Sequence, residues 1–166
     1  FSEKAVEVIK SRSTPVPSWF LDQSLVMNYW SGEGKRAYHH TAPVNSLYAL
    51  HEALLILNNE GLSQSWQRHK AQHEQLALGL EELGLEFVVP ENERLPQLNT
   101  VYIPDGVDDA KVRSYLLNEY NLEIGAGLGA FAGKAWRIGL MGYAARSENV
   151  ALCLVALKRA IAKFTD

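Results

Sequence analysis

The order of hydrophobic periods predicts an α+β chain, with a largely antiparallel sheet covered by helices on one side. Three observations carry this. From residue 62 the pattern reads helix, strand, strand, helix, strand, strand, helix. Two long segments, near 44–57 and 62–83, repeat their apolar residues at helical spacing, whereas 85–89, 99–103, 122–124 and 136–140 are short and strand-like. Hydrophobic residues make up 47% and charged residues 21% of the chain, enough for a real core.

Taken in order, Ser2 is a good N-cap with Glu3 behind it, and Ala5, Val6, Val8 and Ile9 give a short helix over 2–11 one apolar side. Thr14-Pro15-Val16-Pro17 should stop it. Residues 18–30 are aromatic-rich and loosely helical, and Ser31-Gly32-Glu33-Gly34-Lys35-Arg36 reads as a polar, flexible break. After Pro43, the recurrence of Leu47, Leu50, Leu54 and Leu57 predicts a helix apolar around much of its circumference, hence well buried. Asn58 to Gly61 should interrupt it. The next helix, 62–83, carries the stripe Leu62, Trp66, His69 or Lys70, His73, Leu76, Leu80 and Leu83, and Gly84 suits its C-terminal cap. Asp108 and Asp109 open a helix to about Glu119 with their charge at its positive end. Ser147 is the expected cap of a last helix whose inner face is Val150, Leu154, Leu157 and Ile161.

Composition narrows the function. A formal net charge of -3 with no like-charge blocks argues against a general nucleic-acid binder. The longest apolar run, Ala53 to Leu57, is far too short to cross a bilayer. The single cysteine, Cys153, sits in an apolar helical pattern and reads as a small core residue; it fits a reducing compartment.

The stretch Gly125 to Gly139 looks like a phosphate loop but fails the test. Counting back from Gly133 puts Leu128 where the first glycine of a P-loop belongs, and Ala135 replaces the hydroxyl residue. Gly125 to Ala130 fits a loose dinucleotide pattern, yet it runs into a strand rather than a helix. The glycines therefore read as a turn, or as room for something to approach the backbone. Arg137 lies inside the strand, on the face opposite Trp136 and Ile138. A guanidinium there needs an anion. Its partner is either an internal carboxylate such as Glu123 or the carboxylate of a substrate held by the planar fork. His39 and His40 are adjacent and should point apart. His69 and His73 share a helical face but lack the intervening Glu of a zinc hydrolase, so a half-buried helix face is the better reading and no metal is expected.

The segments KRAYHHTAPVNSLYALHEAL, NLEIGAGLGAFAGKAWRIGLMG and SENV resemble the C-terminal part of the alanine–glyoxylate and serine–pyruvate aminotransferases, class V pyridoxal-phosphate enzymes of fold type I. The likeness runs from about Phe1 to Ile161. It implies a small domain of α+β type over 46–166, preceded over 1–45 by the tail of a large cofactor-binding domain. It implies that Tyr38 and Thr41 contact the phosphate of pyridoxal 5'-phosphate in the neighbouring subunit of a homodimer. It implies that Arg137 binds the substrate α-carboxylate, with the glycine-rich turn shaping the entry to that site. The family's Schiff-base lysine and pyridine-nitrogen aspartate should lie upstream of Phe1, since neither Lys35 nor Lys134 has the family's lysine context. The chain then reads as a fragment, inactive alone, of a transaminase moving the amino group of alanine or serine to glyoxylate or pyruvate. Alternatives are a class V relative acting on another amino acid such as 3-hydroxykynurenine or performing lyase chemistry, desulfurase chemistry (discounted because Cys153 is helical), or a non-catalytic α+β module. The ending Phe164-Thr165-Asp166 is not a peroxisomal address, so a cytoplasmic location is expected.

Overall fold

The computed structural model describes residues 1–29 and 38–165. The polar break at 31–36, including Lys35, lies outside the described residues. The chain divides into two compact units, Phe1–Leu55 and Ile56–Asp166.

In the first unit, helix α1 (Glu3–Lys10) is capped as expected by Ser2, whose Oγ accepts the Ala5 N–H at 3.3 Å. It ends at Ser11, before the prolines reach it: the Ser11 N–H returns to Glu7 O, and its Oγ donates to Val8 O. A short helix α2 (Gln23–Val26) is flanked by single 3-10 turns at Trp19–Leu21 and Met27–Tyr29. Asp22 caps α2, and its hydrogen bonds from Ser24 hold its carboxyl below the usual range. Helix α3 (Val44–Glu60) continues through Asn58 and Asn59, and the break expected over Asn58 to Gly61 falls at Gly61, at φ 88°.

The burial expected of α3 is not found. Leu47, Leu50 and Leu54 are 51%, 54% and 55% exposed, and no residue of the helix is buried. Apolar periodicity reports that a face seeks cover, not which chain supplies it. Among the described residues of Phe1–Leu55, only Met27 is buried.

The second unit contains the core. Helix α4 (Leu62–Glu82) ends in a Schellman cap: Gly84, at φ 75°, sends its N–H to Glu81 O, and the Leu85 N–H reaches Leu80 O. Its expected stripe holds only from His69 onward. Leu62 and Trp66 are 55% and 64% exposed, while Leu76, Ala77 and Leu80 join the core. Strands β1 (Leu98–Tyr102), β2 (Gly125–Ala126) and β3 (Ala135–Gly139) form an antiparallel sheet in the order β1-β3-β2.

Two expected strands change. Over 85–89 a single bridge pairs Phe87 with Val101, supported by Val88 N–H to Thr100 O and Tyr102 N–H to Glu86 O. Pro90 has no N–H to extend the ladder. The strand expected at 122–124 begins instead at Gly125. Asn121, left-handed at φ 49°, closes helix α5 (Asp109–Tyr120), and the Leu122 N–H is used by Leu116 O.

One sheet face, bearing Asn99, Val101, Trp136 and Ile138, is buried against α4, α5 and helix α6 (Ser147–Phe164). Ser147 is the first residue of α6, not its cap; Arg146 occupies the cap without a side-chain bond. Val150, Cys153, Ala156, Leu157 and Ala160 line the inner side of α6. Gly79 lets α4 and α6 approach closely, because a Cβ there would lie 2.3 Å from Leu154 Cδ1. Cys153 is a core residue as expected, and burial pushes its thiol up to about 12.

Candidate functional site

Strand alternation decides where Arg137 stands. Trp136 and Ile138 are 0% and 4% exposed on the helix-covered face, so Arg137 rises half-buried on the other, beside its register partners Thr100 and Gly125. Its Nε donates to Ala126 O at 2.8 Å. That bond fixes the plane of the guanidinium and leaves both terminal nitrogens for an anion. Among the described residues no carboxylate forms an ion pair with it, and Glu123 is exposed. The internal partner considered for Arg137 is therefore not there.

The glycines make room. A Cβ at Gly125 would sit 3.3 Å from Arg137 Nη2, so its absence keeps the guanidinium's flank clear. Gly127 is closer still: a Cβ there would lie 2.0 Å from Phe131 O and 3.1 Å from Ala135 O. Gly129 and Gly133, at φ 56° and 69°, complete the turn from β2 to β3. The glycine stretch passes through one 3-10 turn, Gly129–Phe131, into β3 and opens no α-helix, and Lys134 stands exposed in the turn.

Beneath the strand, Trp136 Nε1 donates to Asp109 Oδ1 at 2.8 Å. Asp109 also accepts from Arg113 Nε and Nη2. These bonds, Arg113 foremost, hold the Asp109 carboxyl below its usual range. The sheet under Arg137 is thus tied to α5 by a hydrogen bond as well as by burial.

Tyr38 and Thr41 are brought together. Their hydroxyls are 2.6 Å apart, and Tyr38 is 75% exposed. Two converging neutral hydroxyls are a suitable pair for the oxygens of one phosphate. A hollow lined by Thr41 to Ser46 opens beside them at the first turn of α3, which carries no acidic side chain to offset its positive end. These features fit the phosphate of pyridoxal 5'-phosphate.

Between the two hydroxyl residues, the histidines depart from expectation. His39 and His40 face one another, with their Nδ1 atoms 2.7 Å apart. Trp19 stacks on His39 at 3.9 Å between ring centroids, and Phe20 lies 4.5 Å from His40. Tyr29, which no sequence signal singled out, reaches this segment with its hydroxyl.

His69 and His73 have structural roles. His69 donates from Nδ1 to Ser65 O and accepts the Gly142 N–H on Nε2, so both ring nitrogens are used. His73 donates from Nδ1 to the side chain of buried Asn99 at 2.6 Å. Among the described residues, no group of three His, Cys, Asp or Glu could hold a metal ion, and no helix is long and apolar enough to cross a membrane.

Residues 20–151 match the family model for aminotransferase class V. The chain belongs to the class V aminotransferases. This family depends on pyridoxal phosphate. The alanine–glyoxylate aminotransferase of Rattus norvegicus is 42% identical over 163 residues, covering 97% of this chain and 39% of that protein. The solved structure of an alanine–glyoxylate aminotransferase from Nostoc sp. is similar with a TM-score of 0.87 and 49% identity, over 96% of this chain and 42% of that one. The ureidoglycine–glyoxylate aminotransferase structure from Bacillus subtilis has a TM-score of 0.91 and 36% identity, over 100% of this chain and 42% of that one. The class V chain described here thus spans about two fifths of the length of these relatives.

Proposed function

We propose that this chain supplies the substrate-carboxylate arginine and a phosphate-binding hydroxyl pair to a pyridoxal-phosphate aminotransferase. The enzyme passes the amino group of a small amino acid, alanine or serine, to glyoxylate or pyruvate. The single observation that carries the reading is Arg137: a guanidinium oriented by a backbone carbonyl, on the open face of the sheet, with no internal carboxylate on it among the described residues. The names of the relatives support glyoxylate as an acceptor.

Each residue has a physical task. The free nitrogens of Arg137 take the substrate carboxylate in a bidentate grip, which fixes the rotation of the substrate about its Cα. Gly125 keeps the flank of that grip open. Tyr38 and Thr41 turn their hydroxyls from each other onto the cofactor phosphate, in the active site of the second subunit of a homodimer. When bound, pyridoxal phosphate supplies the electron sink that makes a Cα proton removable. The covalent lysine comes from the remainder of the full-length enzyme, and the exposed apolar face of α3 is covered there.

Arg137→Ala in the full-length enzyme tests the reading. Losing two charge-assisted hydrogen bonds should raise KM for both the amino and the keto substrate by about a hundredfold. Unchanged values for both would overturn it. A panel of donors, alanine, serine and 3-hydroxykynurenine among them, would separate the class V alternatives.

A further inference from the structure

The Tyr29 hydroxyl makes three hydrogen bonds to the backbone between Tyr38 and Thr41. It accepts the N–H of His39 and, at 2.9 Å, the N–H of His40, and it donates to His40 O at 3.0 Å. A phenol has one proton to give and two lone pairs to offer. All three are spent on the backbone of two adjacent residues, His39 and His40, across three successive peptide units. Among the described residues, no other side chain hydrogen-bonds the backbone of this segment. Trp19 and Phe20 flank the two imidazoles by ring contact alone, which is less directional than a hydrogen bond.

We infer that Tyr29 is a positioning residue for the cofactor phosphate: it sets the backbone shape that brings the Tyr38 and Thr41 hydroxyls to 2.6 Å. The inference rests on the reading of those two residues as phosphate ligands. Its physical basis is that a two-residue bridge between the ligands has its own peptide groups otherwise free to turn. An anchor reaching in from 10 and 11 residues upstream removes that freedom before the phosphate arrives. Tyr29 does not touch the phosphate in this account and acts only through the loop.

The test is Tyr29→Phe in the full-length enzyme, freed of cofactor and titrated separately with pyridoxal 5'-phosphate and with pyridoxal, which lacks the phosphate. Tyr29→Phe should weaken pyridoxal 5'-phosphate about tenfold, roughly the effect of one well-placed hydrogen bond, and leave pyridoxal unchanged. Tyr38→Phe and Thr41→Ala run alongside and should show the same selective loss. If these two weaken only the phosphorylated form while Tyr29→Phe binds like the parent, the positioning role is wrong and the phosphate reading stands. If neither of the two changes affinity, the phosphate reading fails and takes the role of Tyr29 with it. An equal loss for both compounds in Tyr29→Phe would mean general damage and would also overturn the inference.

Discussion

Arg137 stands on a strand whose neighbours Trp136 and Ile138 are 0% and 4% exposed, whereas Tyr38 is 75% exposed in a unit where only Met27 is buried among the described residues. The first group is fixed by a core that this chain completes: the sheet, α4, α5 and α6 bury one another. The second group is shaped by a local web of hydrogen bonds and ring contacts, next to a helix whose leucines stay open. Burial gives rigidity to Arg137, which suits its proposed task of orienting a small substrate closely. The open unit, Phe1–Leu55, leaves apolar side chains exposed, which suits the proposal that its hydroxyls serve a site shared with a neighbouring subunit.

Core truncation should separate the two regions most sharply. Leu80→Ala removes a fully buried side chain, 0% exposed, and should destabilise the 166-residue chain by about 2–5 kcal/mol in thermal or denaturant unfolding. Next comes Gly127→Ala, where the new Cβ meets backbone oxygens that cannot swing away. A loss of about 1–3 kcal/mol is expected from overpacking, and circular dichroism during urea titration would read it.

Asp109→Asn should cost about 1 kcal/mol at neutral pH: the amide oxygen still accepts from buried Trp136 but without the charge that strengthens that bond, and the partly exposed Arg113 pair is lost, adding a few tenths. The folded carboxyl lies below its ordinary 3.8, so its contribution is fully present above that value and fades as pH falls through the lowered one. Parent and variant should therefore converge in stability only in strong acid. A constant gap across acid would contradict the assignment. The smallest effect belongs to the open unit. Leu50→Ala, at a site 54% exposed, should change the stability of the isolated chain by under about 0.5 kcal/mol. A cost comparable to Leu80→Ala would erase the contrast between the regions.

Local chemistry made much of this legible. Ser2 and Gly84 cap the helices they were expected to cap, and Asp108, expected to open its helix with its charge, also caps it through Lys111 N–H, since a cap is written within a few residues of its partner. The direction of Arg137 followed from a period of two. The misses were non-local. Nothing near 122–124 tells that Leu122 spends its N–H on Leu116, delaying the strand to Gly125. The apolar circumference of α3 foretold a need for cover but not its source. The mutual turn of His39 and His40, and the anchoring hydroxyl of Tyr29, depend on residues brought together from 10 and 11 positions away. For Arg137 the residues alone left an internal and an external anion both open; the resemblance favoured the external one, and among the described residues no carboxylate pairs with it.

The most direct measurement pairs a carboxylate ligand of the full-length enzyme with its neutral amide and compares both against the parent and Arg137→Ala. The parent should bind the acid much more tightly than the amide, and Arg137→Ala should bind the two almost alike, because the grip being removed is the one on the carboxylate. If the variant weakened acid and amide by the same factor, the guanidinium would not be holding that group.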